Sequence, residues 1–176
     1  MKEIKVGNKM IGENHPVYIV AESGCNHDGK LEQAFQIIKQ AHENGADAIK
    51  FQTLKAEKLV SKQTPQWWLP KDKIEGTRQI DLYKDQDRFG FEEFKKISEY
   101  CKNLGITFLS TPFDEDSVDL LDQLGVPAFK VASTDLTNLP FLEYVAKKNK
   151  PIFLSTGMGS IREIKEAVET IIKTEK

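Results

Sequence analysis

The chain has 176 residues and a mass of 20.0 kDa, with 39% hydrophobic residues and a formal net charge of −2, so it can bury one ordinary core and falls in the range of one domain or part of one. Acidic and basic residues are interspersed, which excludes a basic face for nucleic acid and a polybasic patch for membranes, and favours a small-molecule partner. No apolar run approaches the roughly 20 residues of a membrane helix, no apolar leader precedes the first charges, and Cys25 and Cys101 do not form a C-x-x-C pair, so a soluble protein of the reducing cytoplasm is expected.

Lys2 to Ile11 alternates around the turn pair Gly7-Asn8 and predicts a short hairpin, a lid or plug that sets residues 1–14 apart from residues 15–176. A repeated phrase follows: a short apolar strand ending in polar residues, an amphipathic helix, and a Gly or Lys-Pro junction into the next strand. The predicted strands are Val17 to Ala21, Ala46 to Phe51, Ile106 to Leu109, Ala128 to Val131 and Ile152 to Leu154. Their nearly continuous apolar character suits parallel strands covered on both faces. Leu31, Ala34, Ile37, Ile38 and Ala41 mark the first helix, and Ile161, Ile164, Val168, Ile171 and Ile172 the last. Both sets follow the helical stripe and are expected to face the sheet.

Gly45, Gly105 and Gly125 each stand where a left-handed residue ends a helix, and Ser160 with Glu163 makes a capping box for the last helix. The whole reads as an α/β chain of βα units, a (β/α) TIM-type barrel that is incomplete, with about five of the eight units of a closed barrel. One connection is out of scale. Leu54 to Gly90, with Pro65, Trp67, Trp68 and Pro70, far exceeds the usual 2 to 6 residues and is either a lid over the site or a surface excursion packing its own aromatics.

The strands stop in polar side chains: Glu22 and Asn26-His27 after the first, Lys50 and Gln52-Thr53 after the second, Ser110-Thr111 after the third, Lys130, Ser133 and Asp135 at the fourth, and Ser155-Thr156-Gly157 after the fifth. Parallel strands place their carboxyl ends on one face, so these residues converge there. Two lysines with hydroxyls and an amide are what an anionic phosphate or carboxylate requires, and the helix beginning near Ser160 offers free N–H groups. Taken singly, Lys50 and Lys130 also fit ion pairs at a barrel mouth, strand-end Ser and Thr fit local backbone contacts, and His27 fits a residue ordering its turn. No phosphate-binding Walker loop and no dinucleotide glycine pattern is present.

The segments Ala21 to Gly29 (AESGCNHDG), Gly45 to Thr53 (GADAIKFQT), Phe108 to Asp114 (FLSTPFD), Pro127 to Ser133 (PAFKVAS) and Leu154 to Met158 (LSTGM) resemble, in order, the motifs of the sialic acid synthase family, which includes legionaminic and pseudaminic acid synthases. The resemblance implies condensation of phosphoenolpyruvate with N-acetylmannosamine or a related 2-acetamido sugar. It also implies that Lys50, Gln52, Thr111, Lys130, Ser133 and Ser155 bind phosphoenolpyruvate, that Glu22 serves acid/base or water-handling chemistry, and that Phe113 and Asp135 border the sugar. Asn26 and His27 would help to build the site. In some members Asp135 is Glu and Gly is common in place of Thr134, so the acceptor differs within the family.

The resemblance further implies a divalent metal, Mn2+ or Mg2+, whose histidine ligands lie outside these five units, along with part of the sugar site and a C-terminal antifreeze-like domain. It implies a homodimer for the full-length form and no activity for these units alone. Two other readings stand beside it: a non-catalytic partial barrel that binds an anion or pairs with another chain, and a class I aldolase with Lys130 or Lys50 as a Schiff base.

Overall fold

The computed structural model describes residues 3–174. Strands β1 (Ile4–Val6) and β2 (Lys9–Ile11) form an antiparallel hairpin, with Ile4 opposite Ile11 and Val6 opposite Lys9. The chain then alternates: β3 (Val20–Gly24), α1 (Leu31–Glu43), β4 (Ala48–Thr53), a long excursion, α5 (Phe91–Leu104), β5 (Thr107–Pro112), α6 (Glu115–Gln123), β6 (Phe129–Val131), α7 (Leu139–Ala146), β7 (Ile152–Leu154) and α8 (Ile161–Thr174). The excursion holds three short helices, α2 (Ala56–Leu59), α3 (Lys71–Ile74) and α4 (Gln79–Gln86). Strands β3, β4 and β5 form one parallel ladder and β6 and β7 another, with β5 beside β6. Among the described residues, no helix is long and apolar enough to cross a membrane.

The two faces of each strand carry different chemistry because side chains alternate with a period of two. On β4, Ile49, Phe51 and Thr53 point toward the helices; with Phe108, Phe129 and Val131 the two aliphatic and aromatic residues join the main core, which α1, α5, α6, α7 and α8 cover. Ala48, Lys50 and Gln52 point the other way. Ala48, Leu109 and Ala128 form a small second core with Val6 of the hairpin, against which Tyr18 and Phe153 pack. The hairpin thus enters at the end where β4, β5 and β6 begin. It acts as a plug there, held by an ion pair from Lys9 to Asp47 just before β4. Gly7 adopts φ +59 and its missing Cβ would stand 2.8 Å from Thr107 Oγ1, so only glycine turns there without backbone strain and without pushing the Thr107 side chain aside.

Several sequence boundaries move. The first strand starts at Val20, not Val17: the ladder with β4 begins with Val20 opposite Ala48, Ile19 before it is held by Asp47, whose carboxylate accepts from the Ile19 N–H at 2.6 Å, and Val17 is 84% exposed. Strands β3, β4 and β5 run on past their apolar stretches, so Glu22, Gln52-Thr53 and Ser110-Thr111 lie within strands rather than after them. Helix α1 buries Ala34 and Ile38 as expected. Helix α8 does not present its whole stripe to the sheet: Ala167 and Ile171 are buried, while Ile161, Val168 and Ile172 are exposed. The capping box at Ser160 is present, with Ser160 N–H donating to Glu163 Oε2 at 2.7 Å and Glu163 N–H to Ser160 Oγ at 3.3 Å.

Candidate active site

The face opposite the main core changes from apolar to polar two residues further along each strand. Ala48 is followed by Lys50 and Gln52, Leu109 by Thr111, Ala128 by Lys130, and Phe153 by Ser155. The small second core is therefore the floor of the site, and the polar residues stand on it. Register fixes the neighbours: Glu22 lies opposite Lys50, and Gln52 opposite Thr111.

Lys50 pairs with Glu22 and donates to Thr111 Oγ1 at 3.4 Å. Lys130 Nζ donates to Ser155 Oγ at 2.6 Å and to the Val131 carbonyl at 2.7 Å. Burial holds the Lys130 ammonium below its ordinary lysine value, and the positive charge of Lys50 pushes it the same way, while Glu22 opposes both. The two ammonium groups feel one another and share one carboxylate. An anion arriving between them relieves that repulsion and finds hydroxyl donors at Thr111 and Ser155.

Gln52 sits beside them. Its Oε1 accepts from Cys25 Sγ at 3.7 Å, and its Nε2 lies 3.6 Å from where a Cβ on Gly24 would stand. Glu22 Oε1 is 3.4 Å from the same point, so Gly24, at φ +54, leaves room for the amide and the carboxylate to approach. Burial, and then the Glu22 charge, push the Cys25 thiol up to about 11, so it remains a neutral donor near pH 7 rather than a nucleophile. Ser133 joins from the short 3-10 turn Ser133–Asp135, its Oγ 3.6 Å from the Cβ position of Gly157 just after β7.

Phe113 lines a second space. A cavity of about 310 Å³ opens beside Gln52, between Phe113 and Thr134 on one side and Leu54, Leu59, Val60 and Tyr83 of the excursion on the other. Asp135 is half-buried, and burial raises its carboxyl above the ordinary value, with a hydrogen bond from Thr134 acting against the shift. Thr134 stands on the cavity wall, next to Asp135.

Asn26 and His27 follow β3 in the turn. Asn26 is exposed, its carbonyl accepting from Gln33 Nε2 at 2.5 Å. His27 is buried on the helix side, stacked on Phe89 at 4.1 Å and 11° and near Phe51 at 5.9 Å, while its Nδ1 accepts from the Gly29 N–H at 3.1 Å. It orders the turn rather than reaching the polar face. Burial lowers its pKa below 6.5, against the pull of Asp28. The folded state therefore binds fewer protons than the unfolded chain between that lowered value and 6.5, so stability is full above 6.5 and falls as pH drops through the window. His27→Gln is expected to flatten this acid limb and to cost about 1–2 kcal/mol at pH 7.5 through lost stacking; thermal melts from pH 4.5 to 8 check both.

The excursion faces the site through Leu54, Leu59, Val60 and Tyr83, not through its tryptophans. Trp67 and Trp68 are exposed and meet edge to face at 5.8 Å. Asp114 ties the excursion down. Its Oδ2 accepts from the Lys55 N–H at 2.9 Å and from Ser117 Oγ at 2.8 Å, and its Oδ1 accepts from the Ser117 N–H at 2.9 Å, capping α6. The sequence signal for this clamp was the D-x-x-S cap at the start of α6; nothing in the sequence pointed to Leu59, Val60 or Tyr83.

Residues 37–176 match the model of the NeuB family. The chain belongs to the NeuB family. Among members of that family, it is 39% identical to N,N'-diacetyllegionaminic acid synthase of Legionella pneumophila, over 94% of this chain and 46% of the relative. A crystal structure of N-acetylneuraminic acid synthetase from Leptospira borgpetersenii superposes with a TM-score of 0.83 at 34% identity, covering 99% of this chain and 56% of that one. A truncated 3-deoxy-D-arabino-heptulosonate 7-phosphate synthase from Thermotoga maritima shares the fold alone, with a TM-score of 0.69 at 15% identity over 98% of this chain and 52% of that one. The NeuB-family chain spans about half the length of the curated relatives it matches.

Proposed function

We propose that this chain supplies the phosphoenolpyruvate site of an enzyme that condenses phosphoenolpyruvate with a 2-acetamido sugar, giving a nonulosonic acid and phosphate. The observation that carries the reading is the pair Lys50 and Lys130, two ammonium groups held near each other beside Glu22, with hydroxyls at Thr111 and Ser155. Family membership supports it, since relatives bear the names of synthases of this class. The five parallel strands are read as part of a (β/α) barrel whose remaining strands these residues do not include. Small-molecule substrates, a cytoplasmic setting and a homodimeric full-length form belong to the same reading.

In this scheme Lys50, Lys130, Gln52, Thr111, Ser133 and Ser155 hold the phosphate and carboxylate of phosphoenolpyruvate. Lys50 exchanges its partner Glu22 for the arriving anion, which frees the carboxylate beside the enol carbon. The enol C3 attacks the aldehyde carbon of the open-chain sugar, and the aldehyde oxygen takes up a proton from solvent. Positive character develops at C2, where Glu22 stabilises it and accepts a proton from the water that adds there. The bond from C2 to the phosphate oxygen then breaks and phosphate leaves toward the lysines, taking up the proton that the added hydroxyl loses as C2 becomes the keto carbon. Phe113 and Asp135 border the acceptor.

The family resemblance attaches a divalent metal, manganese or magnesium, to the complete enzyme. The described residues do not fit one: no group of three or more His, Cys, Asp or Glu side chains gathers among them. No step above is routed through a metal.

Calorimetric titration of the chain with phosphoenolpyruvate tests the reading. Binding in the micromolar to millimolar range is expected, with no phosphate released when N-acetylmannosamine and manganese are added. A flat titration would sink the site assignment, and release of phosphate at a steady enzymatic rate would sink the inactivity.

A further inference from the structure

The two lysines of the polar face are held in different ways. Lys50 has a carboxylate partner in Glu22 and a hydroxyl beside it at Thr111. Lys130 is half-buried, and its Nζ donates to two neutral oxygens, Ser155 Oγ at 2.6 Å and the Val131 carbonyl at 2.7 Å. Burial disfavours its charged form, the Lys50 charge adds to that, and Glu22 opposes both. When the ammonium gives up a proton, its two remaining N–H groups can keep both acceptors, and the lone pair takes the third position. A lysine amine in that state is a nucleophile. Lys50 and Thr111, meanwhile, remain in place to hold a phosphate.

We propose that Lys130 is a modification site for small acyl phosphates: the pocket takes their phosphate beside Lys50 and Thr111, and the Lys130 amine takes their acyl group. The proposal rests on the anion site described above and adds a reaction to it. The Nζ lone pair attacks the acyl carbon, so that a nitrogen–carbon bond forms. The bond from that carbon to the bridging oxygen breaks, and inorganic phosphate leaves with the electron pair, taking up the proton that the nitrogen loses. An acyl phosphate is a mixed anhydride, so no further reactant enters. The product amide carries no charge, and the pocket loses one of its two cations. Phosphoenolpyruvate binding to the modified chain is expected to fall roughly 100-fold. Rising acyl phosphate therefore silences the anion site in proportion to the share of Lys130 modified.

The test incubates the chain with acetyl phosphate and follows acetylation of each lysine by mass spectrometry. Lys130 is expected to react about 10-fold faster than Lys95 and Lys96, which are exposed on α5, because a held phosphate keeps the acyl carbon close. Excess inorganic phosphate or phosphoenolpyruvate is expected to bring Lys130 down to the rate of those two lysines without slowing them. Acetic anhydride, which brings no phosphate, is expected to favour Lys130 by about 3-fold or less, through nucleophilicity alone. A Lys130 rate no higher than that of Lys95 and Lys96, a rate that neither competitor slows, or the same preference with acetic anhydride overturns the proposal. Phosphoenolpyruvate is titrated calorimetrically on the same preparation. Binding of phosphoenolpyruvate with slow acetylation of Lys130 refutes the modification alone. Fast acetylation that inorganic phosphate prevents, in a chain that ignores phosphoenolpyruvate, refutes the proposed function alone.

Discussion

Lys130→Met is expected to weaken phosphoenolpyruvate binding roughly 100-fold at pH 7, equivalent to about 2.7 kcal/mol, while leaving the melting temperature unchanged or raised. The ammonium lies among Ser155 Oγ, the Val131 carbonyl and the charges of Lys50 and Glu22, and burial keeps its pKa below the ordinary lysine value. Methionine keeps most of the stem and removes the charge. The Val131 carbonyl still accepts from the Ser155 N–H at 3.1 Å, so no buried backbone group is orphaned. A lysine whose folded pKa is depressed holds fewer protons in the folded chain than in the unfolded one between the lowered value and 10.5. Folding is therefore opposed below that window and relieved as pH rises through it, and removing the charge lifts the opposition at pH 7. Anion binding has the opposite trend, since it needs the ammonium form and should decline as pH rises through the lowered value. Calorimetry and thermal melts on the same preparations read both. A variant that melts lower and still binds would show that Lys130 serves the fold instead.

Phe51→Ala is expected to destabilise the chain by about 3–5 kcal/mol, a fall on the order of 10 °C in melting temperature. The ring is fully buried on the helix side of β4, 6.0 Å from Phe108 and 5.9 Å from His27, and none of the neighbours across that face is free to fill the void. Lys50 and Gln52, its neighbours in sequence, point to the other side. Denaturant unfolding measures the loss, and a cost under about 1.5 kcal/mol would mean that the core around β4 is looser than its packing implies.

Much of this was legible in the sequence because it rests on local rules. The helix stripes of α1, the capping box at Ser160 and the glycine after α5 follow from backbone chemistry within one turn, and Gly105 adopts φ +82 as that position requires. The convergence of Glu22, Lys50, Thr111, Lys130 and Ser155 was legible for a topological reason: parallel strands align their ends whatever the helices between them look like. Strand ends were misplaced because apolar character was used to mark them, whereas ladders continue as long as a partner strand lies alongside, polar side chains included. The exposed side of α8 was read as core because periodicity reports that a stripe exists but not which neighbour covers it. The walls supplied by Leu59, Val60 and Tyr83 depend on how a long connection folds back, and no spacing rule encodes that path.

The strict alternation along β4 also governs which changes in length the gene can tolerate. Deleting or inserting one codon just before Lys50 would rotate every later side chain of that strand by half a turn, sending the ammonium and the amide in among the helices and Phe51 out over the floor of the site. Indels are thus confined to the connections, and in the excursion after Leu54 to the stretch between its two anchors, Lys55 tied to Asp114 and Phe89 stacked on His27.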